Sequence, residues 1–309
     1  MSAEPTPSTE KPVVTPRERL KRASNTVLAA QRFSGRTNVQ MGMRWDNINF
    51  SVPDGDGGTK HILSDISGSA NPGELLAIMG PSGAGKTSLL NALARLNPLA
   101  TGDVLLNDKP WDASMDKMMA YMHQDEKFMP DMTVAEHLHF HSKCRLPAMS
   151  GADRSAFVEK AIDQMGLERQ RDQMIGDAAA GGVHISKNER KRLNYATEIL
   201  TQPSLLFVDE PTTGLDSFMA EIVVNDLKKL ASGEVKIGPG EDQRRTVVAT
   251  IHQPSSDVFR LFDKLMLLVD GKVVYFGPCN EAAAYFAGVG KDQPEPAKWA
   301  CPDLVNPVK

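Results

Sequence analysis

Glycines stand at the first, fourth and sixth places of Gly80-Pro81-Ser82-Gly83-Ala84-Gly85-Lys86-Thr87, and the run ends in an ammonium and a hydroxyl. Glycine lets a backbone curl until successive N–H groups point inward, and a helix start behind such a loop adds partial positive charge. That combination binds a polyphosphate. Lys86 is placed to reach the β- and γ-phosphates, and Thr87 to offer its hydroxyl to Mg²⁺. The apolar run Leu75-Leu76-Ala77-Ile78-Met79 before the loop predicts a buried strand, and Ser88-Leu89-Leu90-Asn91-Ala92-Leu93 after it predicts a helix.

A second pair of residues with chemical potential is Asp209-Glu210, which closes the apolar run Leu205-Leu206-Phe207-Val208. Two adjacent carboxylates at the end of a buried strand carry a desolvation cost that Mg²⁺ offsets. Asp209 is therefore assigned to the metal, directly or through water, and Glu210 to the general base that polarises an attacking water. The histidines His123, His137, His139, His141 and His184 invite a metal reading. His137 and His141 are spaced i, i+4, but no third ligand or H-E-x-x-H pattern accompanies them, so a partly exposed helix face is expected.

The 309 residues, 41% apolar, suffice for one substantial α/β core or two modest ones. A net charge of −4 gives no case for nucleic acid as the phosphate partner. Cys144, Cys279 and Cys301 have no C-x-x-C spacing, which fits a reducing compartment and suggests neither zinc nor a disulfide framework. No run approaches 18 apolar residues, so the chain is not expected to span a membrane by itself.

Residues 1–40 are Pro/Thr/Ser/Glu-rich and then basic, which predicts a disordered tail. One folded domain is expected over 41–290. Alternation from Met43 to Val52 predicts antiparallel sheet ahead of the nucleotide core, and a helical insertion is expected over about 125–200. Val247-Val248-Ala249-Thr250-Ile251 predicts a further buried strand. Ser232 to Arg245, rich in Gly, Pro and charge, reads as a solvated surface insertion, and the proline-bearing stretch 291–309 as an extended linker.

With these pieces placed, the order Gly80–Thr87, Gln124, Leu205–Glu210, Gly214-Leu215-Asp216-Ser217 and Thr250-Ile251-His252-Gln253-Pro254 resembles an ABC-type ATPase. These segments look like its Walker A, Q-loop, Walker B, D-loop and switch histidine. Glu189-Arg190-Lys191-Arg192-Leu193, Val274-Tyr275-Phe276-Gly277-Pro278 and Cys301-Pro302 resemble the G subfamily, the White-type half-transporters. The resemblance implies a P-loop NTPase (RecA-like) α/β fold: a parallel-sheet core, an antiparallel β subdomain and a helical insertion. It implies ATP and Mg²⁺ as ligands, with nucleotide bound by Phe50 stacking on adenine, by Gly80 through Ser88, and by Ser186 and Asp216 reaching across a dimer. Gln124 would sense Mg²⁺ and the attacking water, and His252 would hold the γ-phosphate. Glu210, His252 and Gln124 form the implied catalytic set, and Thr87, Gln124 and Asp209 the implied metal set.

The family signature has Ser-Gly-Gly before its Glu or Gln, whereas this chain reads Ser186-Lys187-Asn188-Glu189. Ser186 with Glu189 predicts a capping box, so the helix should form, ahead of Leu193, Ala196, Ile199 and Leu200. Lys187 and Asn188 are expected to put bulk where the bare glycines would meet the partner's γ-phosphate. This favours a heterodimer with a second ABC ATPase domain over a homodimer. A transmembrane domain is expected either in a longer form of this chain or as a separate subunit, which would hold the domain at the cytoplasmic face of a membrane. The alternatives implied are a soluble ABC-type ATPase without a transport role and a regulatory ATP-binding subunit with little turnover.

Overall fold

The alternation beginning at Met43 folds into strand β1 (Met43–Pro53), with Met43, Trp45 and Ile48 turned into the core. β1 pairs antiparallel with β2 (Thr59–Ala70) on one side. On its other side lies β4 (Thr101–Leu106), which carries the short β5 (Lys109–Pro110) at the edge. Between β2 and β4 the chain contributes β3 (Leu75–Met79), which joins a different, six-stranded sheet with β6 (Met119–Met122), β7 (Leu205–Val208), β8 (Thr246–Thr250), β9 (Lys264–Val269) and β10 (Lys272–Pro278). The order across that sheet is β10-β9-β3-β8-β7-β6, parallel except for β10, which forms a hairpin with β9 through Asp270-Gly271. Both turn residues have positive φ, the conformation an Asp-Gly hairpin of this kind needs.

The computed structural model describes residues 39–289 except 55–56, 113–114, 125, 177–183 and 238–242. The linker expected over 291–309 and all but the last two residues of the expected tail lie outside the described residues.

Strand β3 is buried along its whole length, and its alternation divides the interior into two cores. Leu75, Ala77 and Met79 face a core built with helices α2 (Val134–Arg145), α3 (Gly151–Gln164), α4 (Lys187–Ile199) and α5 (Ser217–Ser232). Leu76 and Ile78 face a second core that holds Trp45, Phe207, Met266 and helix α1 (Lys86–Leu93). The phosphate loop is thus fixed from both sides: by the strand before it and by a helix whose Leu89, Leu90 and Leu93 are buried between the sheets. Two further helices, α6 (Ser256–Phe259) and α7 (Ala282–Val289), flank the last strands.

The expected helical insertion is present between β6 and β7, where α2, α3 and α4 supply their apolar faces to the first core. The expected solvated insertion over Ser232–Arg245 is corrected at both of its described ends. Gly233 ends α5 in the left-handed conformation, and the chain then turns back so that Val235 and Ile237 pack into the core. Arg245 is buried, and its Nη1 donates to the carbonyls of Leu230, Val235 and Gln243. Of these acceptors Leu230 lies in the last turn of α5, where a cation is favoured, while burial pushes the guanidinium down to about 10.

Candidate nucleotide site

The loop between β3 and α1 owes its path to two glycines. Gly80 has φ 152°, and a Cβ there would lie 2.2 Å from the Leu268 carbonyl oxygen. Gly85, the residue preceding α1, has φ 97°, and a Cβ would lie 2.8 Å from Leu63. No side chain fits at either place. Lys86 is only 6% exposed, and its ammonium donates to the carbonyls of Gly80 (3.0 Å) and Pro81 (3.2 Å). Among the described residues it has no carboxylate partner, so a buried positive charge stands at the start of α1 without an anion. This is the environment a polyphosphate completes.

Asp209 closes β7, 8% exposed, and its Oδ1 accepts hydrogen bonds from the hydroxyls of Thr87 (3.1 Å) and Thr250 (2.6 Å). No cation pairs with it among the described residues. A carboxylate beside the loop's own hydroxyl is a hard-oxygen donor set suited to Mg²⁺. Thr250 does more than the sequence reading gave it. Its single oxygen also accepts the Glu210 backbone N–H at 2.9 Å, holding Glu210 at φ 43°. The Glu210 carboxylate in turn accepts the Thr213 hydroxyl at 2.9 Å. Burial, with a further contribution from the negative charge of Asp209, pushes the Tyr121 phenol up.

An open cleft of about 600 Å³ lies over the loop, lined by Ser82, Gly83, Gly85, Lys86, Thr87 and Ser88. Glu210 and His252 face the same cleft. Gly80, Pro81 and Ala84 act behind it: the first two supply the carbonyls that hold Lys86, and Ala84 O accepts the Gly271 N–H at 3.2 Å. Lys60, His61, Ile62, Asp270 and Gly271 complete the lining and were not anticipated; the Asp-Gly turn at 270–271 was the available signal. Phe50 is absent from this lining and packs half-buried against the second core, paired with Leu63. His61 and Ile62 occupy the cleft wall instead. Exposed Gln124 lines a neighbouring cleft of about 520 Å³ together with Asp209 and Tyr121, and the Thr87 hydroxyl bonded to Asp209 joins that cleft to the one over the loop.

The signature segment forms as its capping box requires. Ser186 accepts the Glu189 N–H, and the Glu189 carboxylate accepts the Ser186 N–H at 2.6 Å. The expected bulk is corrected in half: Asn188 is 6% exposed and turned inward, its Oδ1 without a partner among the described residues, because the second position of this helix faces the core. Lys187 alone stays on the surface, with Nζ 3.5 Å from the Gly214 carbonyl. Asp216 caps α5 by accepting the Met219 N–H, so Ser186, Lys187, Gly214 and Asp216 share one exposed region.

The histidines are also partly corrected. His137 is buried rather than on a partly exposed face, with Nε2 3.2 Å from Thr197 Oγ1, and its ring lies 4.3 Å from that of His141. Among the described residues no group of three or more His, Cys, Asp or Glu could hold a metal ion.

Comparison with known proteins accounts for the arrangement. Residues 63–213 match the family model described as ABC transporter, and residues 252–305 the one described as ABC-2 type transporter. The chain is 41% identical over 273 residues to ABC transporter G family member 11 of Arabidopsis thaliana, which covers 87% of this chain and 36% of that protein. It is 43% identical over 257 residues to Protein white of Drosophila melanogaster, covering 81% of this chain and 34% of that one. The chain therefore spans about a third of the length of these relatives. Its fold matches a bacterial ABC transporter cassette solved as a dimer, with a TM-score of 0.60 and 23% identity over 77% of this chain and 98% of that one. No helix among the described residues is long and apolar enough to cross a membrane. The chain belongs to the ABC transporter family, and within it is an ATP-binding cassette of the G type.

Proposed function

We propose that this cassette binds Mg·ATP over the Gly80–Ser88 loop, hydrolyses it, and thereby drives movement of a substrate by a transmembrane domain. The observation that carries the reading is the continuous set Thr87–Asp209–Thr250–Glu210, in which the loop hydroxyl, the strand-end carboxylate and the backbone of the general base share hydrogen bonds. Mg²⁺ supplies charge neutralisation for the phosphates when bound. Lys86 exchanges its two loop carbonyls for β- and γ-phosphate oxygens. Glu210 takes a proton from the attacking water as the terminal phosphoryl group leaves ADP, and His252, an exposed imidazole on the same cleft, orients that phosphoryl group by hydrogen bonding.

Catalysis is completed by a second cassette, whose signature and D-loop close over the nucleotide. We favour a heterodimer, because Lys187 stands on the surface where a bare glycine backbone would approach the partner's phosphate. A transmembrane partner, and with it a place at the cytoplasmic face of a membrane, belongs to the same reading and is supported by the match of residues 252–305 to the ABC-2 type transporter model. The test is nucleotide-induced stabilisation. Mg·ATP at a hundred times its dissociation constant should stabilise the chain by about 2.7 kcal/mol, and Lys86→Ala should largely abolish this. An equal melting shift in both proteins would refute the phosphate-loop assignment.

A further inference from the structure

Lys191 is a buried cation that neither the phosphate chemistry nor the dimer face uses. Its side chain is 9% exposed, and Nζ donates to the Gln124 carbonyl at 3.0 Å and lies 2.5 Å from Glu126 Oε1. One turn of helix away from the exposed Lys187, it points at the loop that follows β6 rather than at solvent. Arg190 grips the same loop from the same helix, its guanidinium 5.0 Å from the centre of the Phe128 ring. The loop's other anchor is the β6–β7 pairing, extended by the Asp209 N–H donating to Met122 O at 2.9 Å. Gln124 therefore hangs between the strand that ends in Asp209 and the helix that begins at Ser186.

Burying an ammonium and a carboxylate is costly, and replacing both Lys191 and Glu126 by well-packed apolar side chains would stabilise the fold as well or better. Lys191 earns its position by geometry. We propose that Lys191 is a positioning residue that ties the Gln124 loop to helix α4, so that Gln124 keeps its reach toward the Asp209 carboxylate only while α4 holds this orientation. The exposed start of α4 is the part of the chain assigned above to the second cassette. Engagement of that cassette then sets the metal environment in this one through a single buried ammonium. The inference rests on the proposed Mg·ATP site, and it names a residue that touches neither nucleotide nor metal.

The experiment uses the whole chain with metal-free ATP, titrated with Mg²⁺ while the melting temperature is followed. Lys191→Met leaves the Glu126 carboxylate without its cation and should melt below the parent without ligand, while still unfolding in one cooperative step. Its Mg²⁺ midpoint should rise roughly tenfold, the low end of what outer partners of a metal site contribute. Gln124→Ala should shift the midpoint similarly, and Lys191→Met added to Gln124→Ala should shift it no further. Lys191→Arg, which keeps the charge, should recover most of the parent midpoint. Additive shifts, or an unchanged midpoint in Lys191→Met, overturn the proposal and leave the nucleotide site standing. No ATP-induced stabilisation of the parent at any Mg²⁺ concentration overturns both. Should Lys191→Met not fold, Glu126→Gln removes the ion pair with little change of shape, and its midpoint is judged by the same criteria.

Discussion

At the scale of single residues, Thr250 is the hinge of the site. One hydroxyl donates to Asp209 and accepts from the Glu210 backbone, so the carboxylate proposed to hold the metal and the proposed general base are set by the same atom. Thr250→Val keeps the shape and removes both bonds. It should leave the Glu210 N–H unpaired at a positive φ, with a stability loss of about 1–3 kcal/mol, while hydrolysis falls more than ATP binding does. Thermal melting beside ATP titration checks this, and a variant with unchanged stability and turnover would remove Thr250 from the account. His137 makes a separate prediction. Thr197 donates its only hydroxyl proton to the Leu193 carbonyl, so the neighbouring His137 Nε2 must carry the hydrogen of their contact. Burial, with His141 and Arg145 nearby, pushes the imidazole down to about 3. The unfolded chain takes up a proton below the ordinary value of about 6.5 while the folded chain does not, so stability is full above that pH and declines as pH falls toward 3. The loss between pH 7 and pH 5 should be about 2 kcal/mol, and His137→Gln should flatten it when melting is followed across that range.

At the scale of elements, the strand–loop–helix units were legible and the faces of irregular strands were not. β3, the Gly80–Thr87 loop and α1 are contiguous in the chain, so their composition alone places a phosphate loop between two packed elements. The capping box at Ser186–Glu189 is likewise local and formed as the spacing requires. Phe50 illustrates the opposite case. β1 has register irregularities between Ile48 and Phe50 and again between Phe50 and Ser51, so simple alternation does not say which side the ring takes. The cleft wall falls to His61 and Ile62, whose position depends on that register. Lys191 and Gln124 are 67 residues apart, and nothing in the local pattern marks a lysine on a helix as buried. The inward turn of Asn188 escaped for a related reason, since its face depends on how α4 docks. The same element supplies a stability test: Ser186→Ala removes the cap of α4 and should cost about 1 kcal/mol. Urea unfolding with an unchanged slope would read this out, and no change in midpoint would show that tertiary packing alone fixes the helix.

At the scale of the whole molecule, two sheets enclose α1 while the helices between β6 and β7 carry the signature outward, so one chain presents a phosphate loop and a separate surface for a partner. Lys187 is the departure that bears on that partner. Lys187→Gly should increase ATP-dependent self-association and turnover, with up to about 1 kcal/mol of helix stability lost to the glycine. Light scattering with ATP beside steady-state hydrolysis separates the two effects, and a parent chain that already forms a tight, rapidly hydrolysing homodimer would contradict the heterodimer preference. The central claim, that this cassette uses Glu210 to hydrolyse the ATP held by its loop, is tested most directly by single-turnover hydrolysis in the parent and in Glu210→Gln, with the ATP-induced melting shift recorded for both. The account predicts equal shifts and hydrolysis slowed roughly 10²–10⁴-fold in Glu210→Gln. Equal shifts with equal hydrolysis rates would contradict it.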